Sequence, residues 1–455
     1  MFSLPAFPTI HLTMKDETQL LPLFLRSKGV TTDSRKIEKG TIFFALKGEK
    51  FDGNKFAKSA LESGASYAVV SDANVCEDER FILVQDTLKA LQNLANAYRR
   101  TFRIPVIGLT GSNGKTTSKE LTAAVLSKKH KVHFTRGNLN NHIGVPLTLL
   151  EMPADTQIAV IEMGANKVGD IAELCQIAEP THGYITNIGR AHIEGFGGVE
   201  GIIRGKSELY HHLILNDGTV FINSNEFILD NMSKRFKNPY KYGRAGDFFY
   251  AEFLEAKPYV KFRLGEQICE AKITGAHNFQ NIITALCVGK FFEVTEKDAL
   301  DAVLQYNPDN QRSQIVERGS ILLLLDSYNA NPDSMIAALK NLSNFDKPKK
   351  IALIGEMSEL GTETVRMHAS VLSAIVEEKI GIDEVICCGK VFEAAIQSNL
   401  PPNTPVRFFE TDEKMKEHLQ KTDFSNCAVL VKASRSQAYE RFADCIGERT
   451  ERAEA

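Results

Sequence analysis

The sequence predicts an α/β protein of three domains: a small α/β domain, a central parallel sheet, and a third, Rossmann-like α/β domain. Three observations carry this expectation. The chain has 455 residues, three times the ~150 that serve as a soft measure of one domain. An apolar run, 104–109, leads through a glycine-rich turn into Ser118 to Lys129, whose Leu121, Ala124 and Val125 share one helical face. Beyond residue 310, short apolar runs alternate with helical patterns, as parallel α/β sheets do. The expected boundaries are 1–100, 101–308 and 309–455.

Residues 30–100 read as a module of their own, with strands around Ile42 to Leu46 and Ala68 to Val70 and a helix through Phe56 to Ser63. Late in the middle domain, Phe248 and Tyr250, then Val260, Phe262 and Leu264, alternate with polar residues and predict a small antiparallel patch. The turn-forming cluster Asn307-Pro308-Asp309-Asn310 is the expected hinge. After it, strands are predicted at 321–325, 351–354, 384–387, 406–409 and 428–431. In such a sheet, ligands belong at the carboxyl ends of the strands.

Composition narrows the function classes. Lys+Arg 54 against Asp+Glu 57 leaves a net charge of −3, so binding nucleic acid by neutralising its phosphates is not expected. The 8 Cys form no C-x-x-C pair, which speaks against disulfide frameworks and structural zinc and for reduced, cytoplasmic thiols. The first seventeen residues lack a basic segment followed by a clean apolar one, and the most apolar internal run, 321–325, is too short to span a bilayer. Neither export nor a membrane span is expected.

Gly108-Leu-Thr-Gly111-Ser112-Asn113-Gly114-Lys115-Thr116-Thr117 stands where a nucleotide loop must, after a buried strand and at the start of a helix. Glycines let backbone N–H groups converge on phosphate oxygens, Lys115 adds a point charge, and the Thr116 hydroxyl suits Mg²⁺. Leu109 replaces the first glycine of the strict G-x-x-x-x-G-K-[ST] pattern, so the loop is a variant. The central sheet is therefore expected to be P-loop ATPase-like. Glu162 ends a second apolar strand and is a candidate metal ligand, the alternative being an ordinary strand cap. His192, in Asn187-Ile-Gly189-Arg190-Ala-His192, follows a third strand and is a candidate for a second Mg²⁺, or a satisfied structural histidine.

Further segments carry a family resemblance. They are Thr32-Asp33-Ser34-Arg35 with Asp52-Gly53, Gly137-Asn138-Leu-Asn140-Asn141, His277-Asn278-Phe-Gln-Asn281, Asp326-Ser-Tyr328-Asn329-Ala-Asn331-Pro332-Asp333-Ser-Met335 and Lys432-Ala433-Ser434-Arg435. Together with the phosphate loop they make the chain similar to the Mur ligases, ATP-dependent amide-forming enzymes of peptidoglycan precursor synthesis, and most of all to the MurF type. The likeness runs from about Thr32 to about Arg441. Two positions depart from the family pattern: Asn54 stands for a histidine and Ala433 for the glycine of K-G-S-R.

The resemblance implies a reaction in which UDP-N-acetylmuramoyl-tripeptide is activated by ATP to an acyl phosphate and then joined to D-alanyl-D-alanine, by a monomer using Mg²⁺. It also implies the roles. ATP would meet Gly111 to Thr117, Asn278, Asn281, Arg312, Asp326 and Tyr328. Chemistry would involve Lys115, His192, Arg312 and Lys206, the last as a carbamate bridging to Mg²⁺ or else a surface lysine paired with a nearby Glu. Metal ligands would be Thr116, Glu162, His192 and carbamylated Lys206. Substrate contacts would come from Ser34, Arg35, Asn138, Asn140, Asn141, Asn329 and Asn331, although Asn and Pro in the last segment also suit a buried turn. The third domain would close over the nucleotide and keep water from the acyl phosphate. Competing readings are the MurE type, folylpolyglutamate synthase, and a phosphate-loop switch whose nucleotide controls partner binding.

Overall fold

The computed structural model describes residues 19–308, 311–398 and 400–448. Asp309 and Asn310 of the expected hinge lie outside them, as do the first eighteen residues on which the export expectation rests. By Cα packing the chain forms two compact units: one up to Gly108 with Lys131–Gly164 and Ala172–Thr181, the other Leu109–His130, Ala165–Ile171 and from His182 on.

The first unit opens with a four-stranded parallel sheet, β1 (Val30–Thr31), β2 (Ile42–Phe44), β3 (Tyr67–Val70) and β4 (Phe81–Leu83), in that order. Phe43, Ala68 and Val70 pack on Ala57, Ala60 and Leu61 of the helix Ala57–Glu62. Asp86 caps the next helix, Thr87–Arg99, by accepting from Leu88 and Lys89 N–H. That helix draws later segments to itself: Gln92 donates to the His142 carbonyl, Tyr98 to that of Met152 and Arg99 to that of Ala178. For this reason β5 (Val106–Thr110) begins in the first unit, beside β7 (Ile158–Glu162) and then β6 (Val132–Phe134).

Within the second unit the end of β5 is followed across its sheet by β8 (His182–Ile185), β9 (Thr219–Asn223) and β10 (Tyr240–Tyr242). The expected antiparallel patch is the sheet β11 (Glu252–Ala256), β12 (Tyr259–Leu264) and β13 (Gln267–Thr274), with Val260, Phe262 and Leu264 in β12 as expected and Phe248 and Tyr250 ahead of its first strand.

The last sheet contains the five predicted strands and one more. Its order is β14 (Gln314–Arg318), β15 (Ile321–Leu325), β19 (Cys427–Lys432), β16 (Lys349–Ile354), β17 (Glu384–Cys388) and β18 (Val406–Phe409). The strand not foreseen, β14, pairs antiparallel with β15 through a tight turn at Gly319, φ +57°. The other pairs are parallel. Ala352 and Ile354, Val385 and Cys387, Ala428 and Leu430 face the helices Pro332–Ser343, Thr364–Glu377 and Lys390–Gln397. Ile351 and Leu353, Ile386, Val429 and Val431 face Met415 and Leu419 of Asp412–Lys421 and the C-terminal Tyr439 and Phe442. Alternate residues thus enter opposite cores, and strands buried on both faces read as unbroken apolar runs.

Ala433, the departure from K-G-S-R, follows the end of β19 and is fully buried. It fits because Gly355 faces it: a Cβ on Gly355 would stand 2.6 Å from Tyr439 ring atoms and 2.7 Å from the Ala433 Cβ. Gly355→Ala is expected to destabilise the protein by about 1–3 kcal/mol through overpacking, and Gly355→Ala with Ala433→Gly to recover part of the loss. Thermal unfolding of the two variants measures this.

Candidate active site

The helix of the phosphate loop is Lys115–Leu126, three residues earlier than its apolar pattern suggested, because Gly114 at φ +77° serves as its N-cap. The start of this helix presents the positive end of its dipole to the loop. The loop needs glycine at two points. At Gly111, φ +148°, a Cβ would fall 1.9 Å from Thr186 Oγ1, and at Gly114 one would fall 2.6 Å from Asn281 Oδ1. Lys115 Nζ donates to the carbonyls of Gly111 at 2.7 Å and Ser112 at 3.3 Å, so its ammonium lies across the loop. Thr116 and Thr117 are buried beneath it.

The segment after β8 braces this loop. Ser112 Oγ donates to Gly189 O at 2.8 Å and accepts from Gly189 N–H at 2.9 Å. Asn113 N–H donates to Asn187 Oδ1 at 3.0 Å, while Asn187 Nδ2 and Thr186 Oγ1 both donate to Asn113 O. Neither Thr186 nor Asn187 stood among the expected site residues, although Asn187 belongs to the strand-end segment that drew attention to His192. Asn281 braces the other side, accepting from Ser118 Oγ at 2.8 Å and donating to Asn278 Oδ1, while Asn278 donates to Thr274 O. Both amides are buried.

Lys206 is not a surface residue. Fully buried on the helix Val199–Leu215, it places Nζ 3.3 Å from Ala165 O and 5.2 Å from the Phe196 ring centroid. Burial, with Lys115 as a further cause, pushes its pKa well below the ordinary lysine value, against the opposing pull of Asp170 and Glu208. The uncharged amine, the form that adds CO₂, is thereby favoured. His192 sits at φ +54° with Nδ1 against Glu359 Oε2, and Glu359 is itself at φ +63°. The imidazole holds the Glu359 carboxyl below its usual range.

From the last sheet, Asp326 accepts from Lys432 Nζ at 2.6 Å and from Ser313 N–H at 3.1 Å. The Arg312 guanidinium lies 3.7 Å from the Tyr328 ring centroid, so these two expected nucleotide contacts stack on each other. Asn329 Oδ1 accepts from Ala330 N–H. Asn331 caps the helix Pro332–Ser343 in a reciprocal capping box with Ser334, which accounts for the Asn-Pro-Asp-Ser order. Its Nδ2 also donates to Asn113 Oδ1 of the phosphate loop at 2.7 Å.

In the first unit Glu162 is buried at the end of β7, where Oε1 accepts from Asn140 Nδ2 at 2.7 Å. Asn141 Oδ1 accepts from Ile143 and Gly144 N–H at the start of the helix Gly144–Leu150, while Asn138 is exposed. Arg35 forms a bidentate pair with Asp33, whose carboxyl it holds down to about 2; Ser34 adjoins them in the same short 3-10 turn. Asn54, the other departure, is buried and ties two loops: Nδ2 donates to Asp52 Oδ1 at 2.8 Å, and Oδ1 accepts from Ser71 N–H at 2.9 Å.

Among the described residues no group of three His, Cys, Asp or Glu side chains could hold a metal ion unaided.

Three family models match in sequence: the Mur ligase family catalytic domain at residues 26–99, the Mur ligase middle domain at 109–289 and the Mur ligase glutamate ligase domain at 311–435. The chain belongs to the Mur ligase family. Within it the chain is of the MurF type. It is 36% identical over 425 residues to the UDP-N-acetylmuramoyl-tripeptide–D-alanyl-D-alanine ligase of Bacillus subtilis, covering 90% of this chain and 91% of that one. With the Escherichia coli ligase of the same name it shares 35% over 381 residues, 79% of this chain and 81% of the other. A crystal structure of MurF from Acinetobacter baumannii superposes with a TM-score of 0.84 at 30% identity, covering 96% of this chain and 99% of that one. MurF ligase from Thermotoga maritima, in complex with ADP, gives 0.81 at 27%, covering 93% and 97%.

Proposed function

We propose that the chain joins D-alanyl-D-alanine to UDP-N-acetylmuramoyl-tripeptide, giving UDP-N-acetylmuramoyl-pentapeptide, ADP and phosphate in peptidoglycan precursor synthesis. The observation that carries this is the likeness to the Bacillus subtilis ligase over nine tenths of both chains. A carboxylate is too poor an electrophile to join an amine in water. The terminal carboxylate of the tripeptide attacks the γ-phosphorus of ATP and ADP leaves. The dipeptide amine then adds to the acyl phosphate carbonyl, loses a proton, and phosphate departs.

No protein nucleophile is required. The chain's work is to gather anionic groups and offset their repulsion. The phosphate loop, through Lys115 and its first-turn N–H groups, suits the β- and γ-phosphates. Mg²⁺, when bound, would draw electrons from the γ-phosphate oxygens; Thr116 suits one such ion, and His192 with carbamylated Lys206 a second. Glu162, the buried carboxylate of the first unit, is a further metal candidate. Arg312, Asp326 and Tyr328 are assigned to the nucleotide, and Asn329 to the dipeptide together with Asn331. Ser34 and Arg35 are assigned to the uridine nucleotide, and Asn138, Asn140 and Asn141 to the acyl substrate. In this reading residues 1–100 bind the UDP substrate, 101–308 bind ATP, and 309–455 bring the dipeptide and close over the nucleotide.

No described helix is long and apolar enough to cross a membrane, and none of the eight cysteines is joined in a disulfide. We take the protein to be a cytoplasmic enzyme that acts as a monomer.

The test is phosphate release by the purified protein with ATP, Mg²⁺, D-alanyl-D-alanine and the UDP-tripeptide, one component omitted per control. Release that needs all four, with pentapeptide found by mass, is the expected result. ATP hydrolysis indifferent to both substrates would instead support a nucleotide switch.

A further inference from the structure

Arg190 and Asp333 were part of recognisable segments but had no role in the chemistry, and they meet across 143 positions of chain. Arg190 Nε and Nη2 donate to Asp333 Oδ1 at 2.8 and 2.6 Å, and the Arg190 backbone N–H donates to Oδ2 at 2.7 Å. The carboxylate is pressed against that peptide: a Cβ on Gly189 would lie 2.9 Å from Asp333 Oδ2. Gly189 is also the residue that exchanges two hydrogen bonds with Ser112 of the phosphate loop. Two residues before Asp333, Asn331 donates to Asn113 of that loop. One helix start in the last sheet therefore grips the phosphate loop twice, directly through Asn331 and through the brace by Asp333. Asp333 is well placed for this, since a carboxylate in the first turn of a helix is stabilised by the helix dipole.

We propose that Asp333 is a positioning residue: by holding Arg190 it fixes the brace at 186–190, and with it the phosphate loop, so that nucleotide is bound tightly only with the C-terminal domain docked. This rests on the ligase reading above. The pair is part-exposed, with 38% and 34% of the two side chains accessible, so its worth as an ion pair in water is small. Its effect comes from the backbone N–H it also fixes. Without Asp333, the Gly189–Arg190 peptide loses an acceptor and Ser112 loses a fixed partner.

The experiment titrates ADP with Mg²⁺ into the full-length wild type and into Asp333→Ala, Arg190→Ala, the double variant and Asp333→Asn, alongside thermal unfolding and steady-state kinetics. Asp333→Ala is expected to weaken ADP binding about tenfold, Arg190→Ala, which leaves the backbone N–H donating to Asp333, to weaken it less, and the double variant to be no weaker than Asp333→Ala, as for coupled neighbours. Asp333→Asn, which keeps an oxygen for the backbone N–H, is expected to recover most of the affinity and also serves if Asp333→Ala does not fold. KM for ATP should rise with the ADP dissociation constant. A lower melting temperature with unchanged ADP affinity would make the pair merely structural and overturn the proposal. If the wild type makes no pentapeptide, the ligase reading fails first; if it does and the variants bind ADP as it does, only this inference fails.

Discussion

Replacing Lys206 by alanine is expected to cut turnover by about 10³-fold or more, the scale on which losing a placed charge in an active site is felt, and millimolar formate or acetate to restore part of it. The argument begins with the burial of the side chain. A lysine with no solvent exposure has its pKa pushed well below the ordinary lysine value by burial, which disfavours the ammonium and favours the neutral amine. Such an amine adds CO₂, forming an N–C bond and releasing a proton, and the resulting carbamate bears a negative charge. Lys115, which disfavours an ammonium at Lys206, favours an anion there. The pH dependence has a definite sign: lowering the pH protonates the amine and withdraws it from carbamylation, so activity limited by this step falls as the medium becomes acid. A carbon-13 carbamate signal from labelled bicarbonate, absent in Lys206→Ala, checks the state independently of turnover. Full activity in Lys206→Ala would dismiss the role.

Lys115→Ala should lower kcat by about 10²–10³-fold, the cost of removing one preorganised cation from a transferring phosphoryl group. The fold should survive, because the buried residues of β5 and the contacts from Thr186, Asn187 and Asn281 hold the loop independently of this side chain. Unfolding temperature and binding of the UDP-tripeptide, measured by calorimetry, should remain near the wild-type values while ATP turnover collapses. Equal losses in folding and turnover would return Lys115 to a structural part.

The sequence made some of this readable and hid the rest for physical reasons. The strands of the last sheet were visible because burial on both faces makes each a short apolar run, and the phosphate loop because only glycine fits beside Thr186 and Asn281. The edge strand β14 escaped notice, since Gln314–Arg318 is only partly buried and lacks a clear alternation. Asn331 was read as a substrate contact, and the structure engages it as a helix cap and a tether to Asn113; one residue type serves both, and its partner lies 218 positions away. Glu359 had no local signal, because its contact with His192 exists only once the chain has folded. The departure at Ala433 finds its explanation only in the folded chain, where Gly355 stands opposite it.

The central claim is that ATP activates a carboxylate, and isotope transfer tests it most directly. UDP-N-acetylmuramoyl-tripeptide labelled with ¹⁸O in its terminal carboxylate is turned over with ATP, Mg²⁺ and D-alanyl-D-alanine, and the released phosphate is analysed by mass. An acyl phosphate intermediate requires that each phosphate carry one ¹⁸O and that the new amide keep the other. Phosphate free of label, or bearing oxygen from water, would show that ATP is hydrolysed rather than used for activation and would contradict the account.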